Sequence, residues 1–126
     1  MFKDSKAFSS FSVDDLQKAK AFYTGVLQLE VKELEMGVME LHLAGGTTVL
    51  VYPKPNHEAA GFTVLNFPVP NVEEKVAALK NAGVTFERYD LPELKTDADN
   101  ICRGGGPVIA WFKDPAGNII AVMNEG

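Results

Sequence analysis

The sequence contains one cysteine, Cys102, so no disulfide can form within the chain. It has no apolar run approaching the roughly 18 to 20 residues that span a bilayer, and Lys54 and Lys113 interrupt even the strongest β-like stretches. The opening Met1-Phe2-Lys3-Asp4-Ser5-Lys6 lacks the apolar centre of a signal peptide, so a cytoplasmic location with no membrane partner is expected. Positive charge is sparse: 12 Lys and Arg stand scattered among 17 Asp and Glu, for a net charge of −5 and a pI near 5.0. Without a basic patch to neutralise phosphates, no nucleic-acid partner is expected. Histidine is nearly absent as well, with only His42 and His57, which limits imidazole chemistry from the outset.

What is present is ordinary globular material, 46% hydrophobic and 23% charged over 126 residues. That length suits one domain over residues 1–126, able to bury about two thirds of the surface its unfolded chain exposes. Ala7 to Val13 alternates apolar and small polar residues as a strand does. Asp14 or Asp15 then caps a helix whose apolar face is Leu16, Ala19, Phe22, Tyr23, Val26 and Leu27. Three β-like runs follow, Leu29 to Leu34, Val38 to Leu43 and Thr47 to Tyr52. Pro53 and Pro55 end the last of them, and Asn56-His57-Glu58 reads as a solvated connector.

The same order then recurs. Phe62 to Val69 is a strand, and Asn71 with Glu74 forms a capping pattern before a helix faced by Val72, Val76 and Leu79 and ended by Gly83. Val84 to Tyr89, Pro107 to Phe112 and Asn118 to Met123 complete a second set of strands. Phe11, Val13, Asp15 and Leu16 match Phe67, Val69, Asn71 and Val72 at one constant offset, and a second offset aligns the closing strands. The chain is therefore expected to be α+β, with two βαβββ half-modules over about 1–57 and 58–126 forming curved mixed sheets around a central cavity. Each half-sheet has one face covered by its helix and one left bare, so the halves must combine within the chain or across a dimer.

Phe11-Ser12-Val13-Asp14-Asp15-Leu16 with Phe22-Tyr23 and Leu27, and Trp111-Phe112-Lys113-Asp114-Pro115-Ala116-Gly117-Asn118 near the end, together resemble the two signatures of the vicinal oxygen chelate superfamily. That is the group of glyoxalases, bleomycin-resistance proteins and extradiol dioxygenases. The Asp-Pro-x-Gly-Asn turn has its own logic: Pro115 presets φ and Gly117 supplies positive φ before the final strand. One departure is Gln28, where that superfamily often places a glycine.

The resemblance implies a divalent metal held by His, Gln or Glu on the first and fourth strand of each half, and a homodimer. The four matching positions here are Phe8, Leu50, Val64 and Ala121, none of which has a lone pair to donate. The expectation is therefore no metal at these positions and no cofactor. Glu40 and His42 share a strand face and offer at most a displaced two-ligand site, or else its plain polar side.

Strand alternation predicts a cavity lining of Phe8, Ser10 and Ser12, then Thr48, Leu50 and Tyr52, then Val64 and Asn66, then Ile119, Ala121 and Met123, with Trp111 alongside. This lining is apolar with a few hydroxyl and amide groups. It suits a flat or aromatic small-molecule ligand, and plain core packing is the competing account of each residue. Gly104-Gly105-Gly106 lacks the Lys-Ser or Lys-Thr of a phosphate loop and precedes a strand. With Arg103, Asp97 and Asp99 it frames either a lid or an ordinary surface loop. Cys102 carries no nucleophile motif, and no Gly-x-Ser-x-Gly elbow is present.

Three functions fit these residues: a metal-free binder of a small apolar or aromatic molecule; a lyase, isomerase or dioxygenase-type enzyme using an off-position metal or an acid–base residue among Glu40, His42 and Tyr52; and a non-catalytic dimeric interaction protein.

Overall fold

In the computed structural model, which describes residues 1–125, alternation makes the first strand. β1 (Ser9–Val13) buries Phe11 and Val13 and turns Ser10 and Ser12 the other way. Asp15 then caps α1 (Leu16–Ala21), its Oδ1 accepting the amides of Gln17 and Lys18 at 3.0 and 3.1 Å. The sequence pattern reads as one helix through Leu27, but the structure widens to a π-turn over Phe22–Val26, where the Leu27 amide reaches the Phe22 carbonyl. Tyr23 lies in this wide turn, wholly buried, with its ring 6.2 Å from that of Phe11 and 5.3 Å from that of Phe22.

β2 (Glu30–Leu34), β3 (Val38–His42) and β4 (Thr48–Pro53) complete a sheet of order β1-β4-β3-β2. β1 runs parallel to β4 and the other neighbours are antiparallel. One sheet face carries Val13, Met39, Leu41 and Val51, all fully buried, and α1 packs against β4. The connections use the left-handed backbone: Met36 and Gly37 at φ 73° and 72° between β2 and β3, Gly45 and Gly46 at 88° and 82° between β3 and β4.

From Ala60 onward a second compact unit repeats the plan, the first being Met1–Ala59. β5 (Thr63–Val69) leads to α2 (Val72–Asn81), capped by Asn71, whose Oδ1 accepts the Glu74 amide at 3.0 Å. Gly83 stops the helix at φ 94°. β8 (Ile109–Lys113) and β9 (Ile119–Asn124) join β5 in the order β5-β9-β8, again with the outer strand parallel to its neighbour and the hairpin antiparallel. α2 lies on β9 and β8, and Val72, Val76 and Leu79 are buried along with Ala110, Phe112, Ile120 and Val122.

The strand expected over Val84 to Tyr89 does not form, and only an isolated bridge at Phe86 remains of it. Phe86 bridges Phe112 and the Glu87 amide donates to the Trp111 carbonyl at 2.8 Å, after which the chain leaves β8. Tyr89 pairs with Thr96 instead, closing a small hairpin of β6 (Asp90–Leu91) and β7 (Leu94–Lys95). Thr96 competes for Tyr89 because both its amide and its hydroxyl bond to that residue's backbone. Among the described residues no helix is long and apolar enough to cross a membrane.

Candidate functional site

Strand register decides which predicted lining residues share a surface. In the first unit Ser10 pairs with Leu50, Ser12 with Tyr52, Leu50 with Glu40 and Thr48 with His42. Directly paired residues point to one side of a sheet. Ser10, Ser12, Thr48, Leu50, Tyr52, Glu40 and His42 therefore stand together on the face opposite the buried Val13, Met39, Leu41 and Val51. All but the exposed Ser10 are half-buried. Phe8 falls just before β1 and is 66% exposed.

The second unit has an equivalent face. Asn66 pairs with Ala121 and Ala121 with Trp111, while Met123 and Ile119 point the same way at either end of β9. Val64 sits at an irregularity: the register passes from Thr63 opposite Ile119 to Leu65 opposite Ile120, so Val64 has no counterpart on β9. Ala121 is wholly buried, Asn66 exposed, and Ile119, Met123 and Trp111 half-buried. Tyr89 belongs here too, its ring 5.3 Å from that of Trp111 and perpendicular to it. Sequence pattern does not single out Tyr89, because the β-run Val84 to Tyr89 has no clear inner or outer face. Its alternation with Glu87, whose carboxylate lies 3.3 Å from Lys113 Nζ, was the available signal.

The four positions that the superfamily resemblance assigns to a divalent ion carry a phenyl ring, an isobutyl group, an isopropyl group and a methyl group. Phe8, Leu50, Val64 and Ala121 do not fit such an ion, because hydrocarbon has no electron pair to coordinate it. Glu40 Oε1 and His42 Nε2 do meet, at 3.3 Å. Among the described residues no group of three or more His, Cys, Asp or Glu side chains is placed to hold a metal, so this pair has no third ligand of those types.

His57, expected to be merely solvated, is half-buried instead, and its Nδ1 lies 2.7 Å from Ser12 Oγ. The connector folds back because the Lys54 amide donates to the Val13 carbonyl at 2.9 Å and the His57 amide to the Lys54 carbonyl at 3.0 Å. These bonds bring the imidazole to the end of β1.

The loop before β8 is built on Asp97. Its Oδ1 accepts the amides of Asp99 and Ile101, both at 2.9 Å, and its Oδ2 accepts from Arg103 Nε at 2.8 Å. Arg103 also bonds Glu73 of α2 at 2.7 Å. The Arg103 hydrogen bond holds the Asp97 carboxyl below the usual range, helped by the Ile101 amide. Glu73 is lowered first by its own backbone amide and then by Arg103. A groove of about 460 Å³ lies beside this loop, lined by residues 92–97 and 101–104 and by none of the sheet-face residues named above.

A family model described as Glyoxalase/Bleomycin resistance protein/Dioxygenase superfamily matches residues 8–122. No curated protein matches the chain. Among solved structures, the genomically encoded fosfomycin resistance protein FosX from Listeria monocytogenes superposes with a TM-score of 0.71 at 15% identity, over 95% of this chain and 92% of that one. TnmS3, an antibiotic binding protein from Streptomyces sp. CB03234, gives 0.66 at 20% identity over 96% and 97%. Lactoylglutathione lyase from Agrobacterium tumefaciens gives 0.65 at 23% identity over 97% and 96%. At these identities the likeness is one of fold.

Proposed function

The chain belongs to the Glyoxalase/Bleomycin resistance protein/Dioxygenase superfamily, and within it we propose a metal-free binder of small, flat, aromatic molecules. One observation carries this reading: all four positions that serve coordination in the superfamily are hydrocarbon here, Phe8, Leu50, Val64 and Ala121. Recognition then falls to desolvation and a few hydrogen bonds, and each unit offers its own apolar surface, Leu50 and Tyr52 in the first and Ile119, Met123 and the Trp111–Tyr89 pair in the second. Ser10, Ser12 and Thr48 supply orienting hydroxyls on the first face, and Asn66 an amide on the second. The likeness to TnmS3, an antibiotic binding protein, accords with this reading, and the net charge of −5 favours a cationic aromatic over an anionic one. The protein acts in the cytoplasm as a homodimer, with no metal, cofactor, membrane or nucleic-acid partner.

Trp111 is the only tryptophan, so its emission reports directly on the face that holds it. Acridine, titrated into the intact chain, is expected to quench Trp111 saturably at one molecule per chain, with tetraethylammonium as a non-aromatic cation that leaves emission unchanged. Ala121→Arg sets a charged side chain in the middle of the β9 face and is expected to weaken acridine binding at least tenfold. Linear, unsaturable quenching, or full binding by an Ala121→Arg variant with native circular dichroism, would remove the reading.

A further inference from the structure

Ser12 and His57 are 45 residues apart in sequence, yet their side chains meet at 2.7 Å in a half-buried position. The contact is held from both sides. Ser12 is fixed in β1 by pairing with Tyr52, and the two amide bonds that fold the connector back fix His57. Two residues from different segments, each tied down by backbone bonds, thus make an alcohol–imidazole pair in which the imidazole nitrogen lies within proton-transfer distance of the hydroxyl. An alcohol that keeps its proton is a poor nucleophile, and a neighbouring base at hydrogen-bond distance is what activates it. A structural role asks only that the hydroxyl be satisfied, whereas this pairing adds a titratable base beside it.

We propose that Ser12 is a nucleophile activated by His57 and accepts the acyl group of aryl esters. In the first step Oγ attacks the ester carbonyl carbon while its proton passes to His57 Nδ1. The tetrahedral adduct collapses with cleavage of the bond to the aryl oxygen, which leaves as phenolate, and the imidazolium passes its proton to the phenolate or to solvent, which restores the neutral base. In the second step water adds to the acyl-serine carbonyl and gives its proton to the imidazole. The acyl–Oγ bond then breaks, and Oγ recovers its proton from the imidazolium as the carboxylic acid departs. The ester class follows from the chemistry, since a single imidazole serves as base and an aryl oxygen leaves as an anion without prior protonation. Tyr52, paired beside Ser12, and Leu50, two residues before it on β4, give the aryl group an apolar surface.

The test uses the intact chain and p-nitrophenyl acetate at mildly alkaline pH, and it needs no knowledge of any natural ligand. A burst of about one nitrophenolate per chain is expected, with one acetyl group located on Ser12 by peptide mass mapping. Ser12→Ala is expected to lose the burst, and His57→Gln to slow it at least tenfold with native circular dichroism retained. Mapping on the unaltered chain decides the matter even where a variant fails to fold: an acetyl group on lysine, the amino terminus or Cys102 but not on Ser12 overturns the proposal. An unchanged rate in folded His57→Gln overturns the role of the base. Because the pair is assayed without acridine, either result leaves the aromatic-binding reading standing, and loss of acridine binding leaves this one standing.

Discussion

At the scale of single residues, three side chains are held in backbone conformations that glycine adopts more readily: Gln28 at φ 57°, Met36 at 73° and Asn100 at 69°. Gln28 stands where the superfamily signature favours glycine, and it keeps the turn at a cost of about 1 to 2 kcal/mol in left-handed strain. Glycine would relieve that strain while giving back about 0.5 to 1 kcal/mol through the freedom of the unfolded chain. Gln28→Gly is therefore expected to stabilise the protein by roughly 0.5 kcal/mol, seen as a higher urea midpoint with unchanged slope. Asp114 is the opposite case. Only 4% exposed, it accepts the amides of Ala116 and Asn118, both at 2.9 Å, and the Asn118 side-chain amide at 3.0 Å. Asp114→Ala removes these three hydrogen bonds, two of them buried, and is expected to cost about 2 to 4 kcal/mol in the same unfolding measurement.

At the scale of elements, Asp15 and Asn71 perform one task in the two units, each accepting first-turn amides of the helix that follows. Asn71→Ala is expected to cost about 1 kcal/mol. The Asp97 loop shows a different dependence. Asp97 and Glu73 both have lowered pKa values, so the stability they contribute is complete above the ordinary carboxylate range and is lost as pH falls through their lowered values. Amide protection of Ile101, corrected for intrinsic exchange, is accordingly expected to fall on acidification and in high salt, because the three charged groups are solvent-accessible. Asp97→Asn should show the low-protection behaviour at neutral pH, and equal protection in that variant would remove the Asp97 carboxylate from the account.

These elements also mark where sequence pattern carries information and where it does not. Caps, period-two strands and the Asp114 turn are local, and each was legible from neighbouring residues. The register that sets Ser10 beside Leu50 followed from alternation, since a one-residue slip would expose Phe11 and Val13. The π-turn around Tyr23, the diversion of Tyr89 to Thr96 and the Ser12–His57 contact were not legible. Each depends on a competition between partners that only the folded chain brings within reach. His57 is the sharpest example, a polar residue in a proline-flanked connector whose sequence neighbours carry no trace of β1.

At the scale of the whole molecule, coordination chemistry becomes a statement about thermal stability. A divalent ion bound only by the folded chain at 100 times its Kd would stabilise it by about 2.7 kcal/mol. For a chain of 126 residues that corresponds to a rise in Tm on the order of 10 °C. With hydrocarbon at Phe8, Leu50, Val64 and Ala121 the metal-free reading predicts no such linkage: added Zn2+, Mn2+ or Ni2+ should move Tm by less than about 1 °C, and EDTA should leave the purified protein unchanged. The displaced pair Glu40 and His42 predicts a small, chelator-reversible shift in place of none, abolished by His42→Ala. A large shift that survives His42→Ala would mean that donors outside both sets hold the ion, and recognition would then have to be rebuilt around coordination.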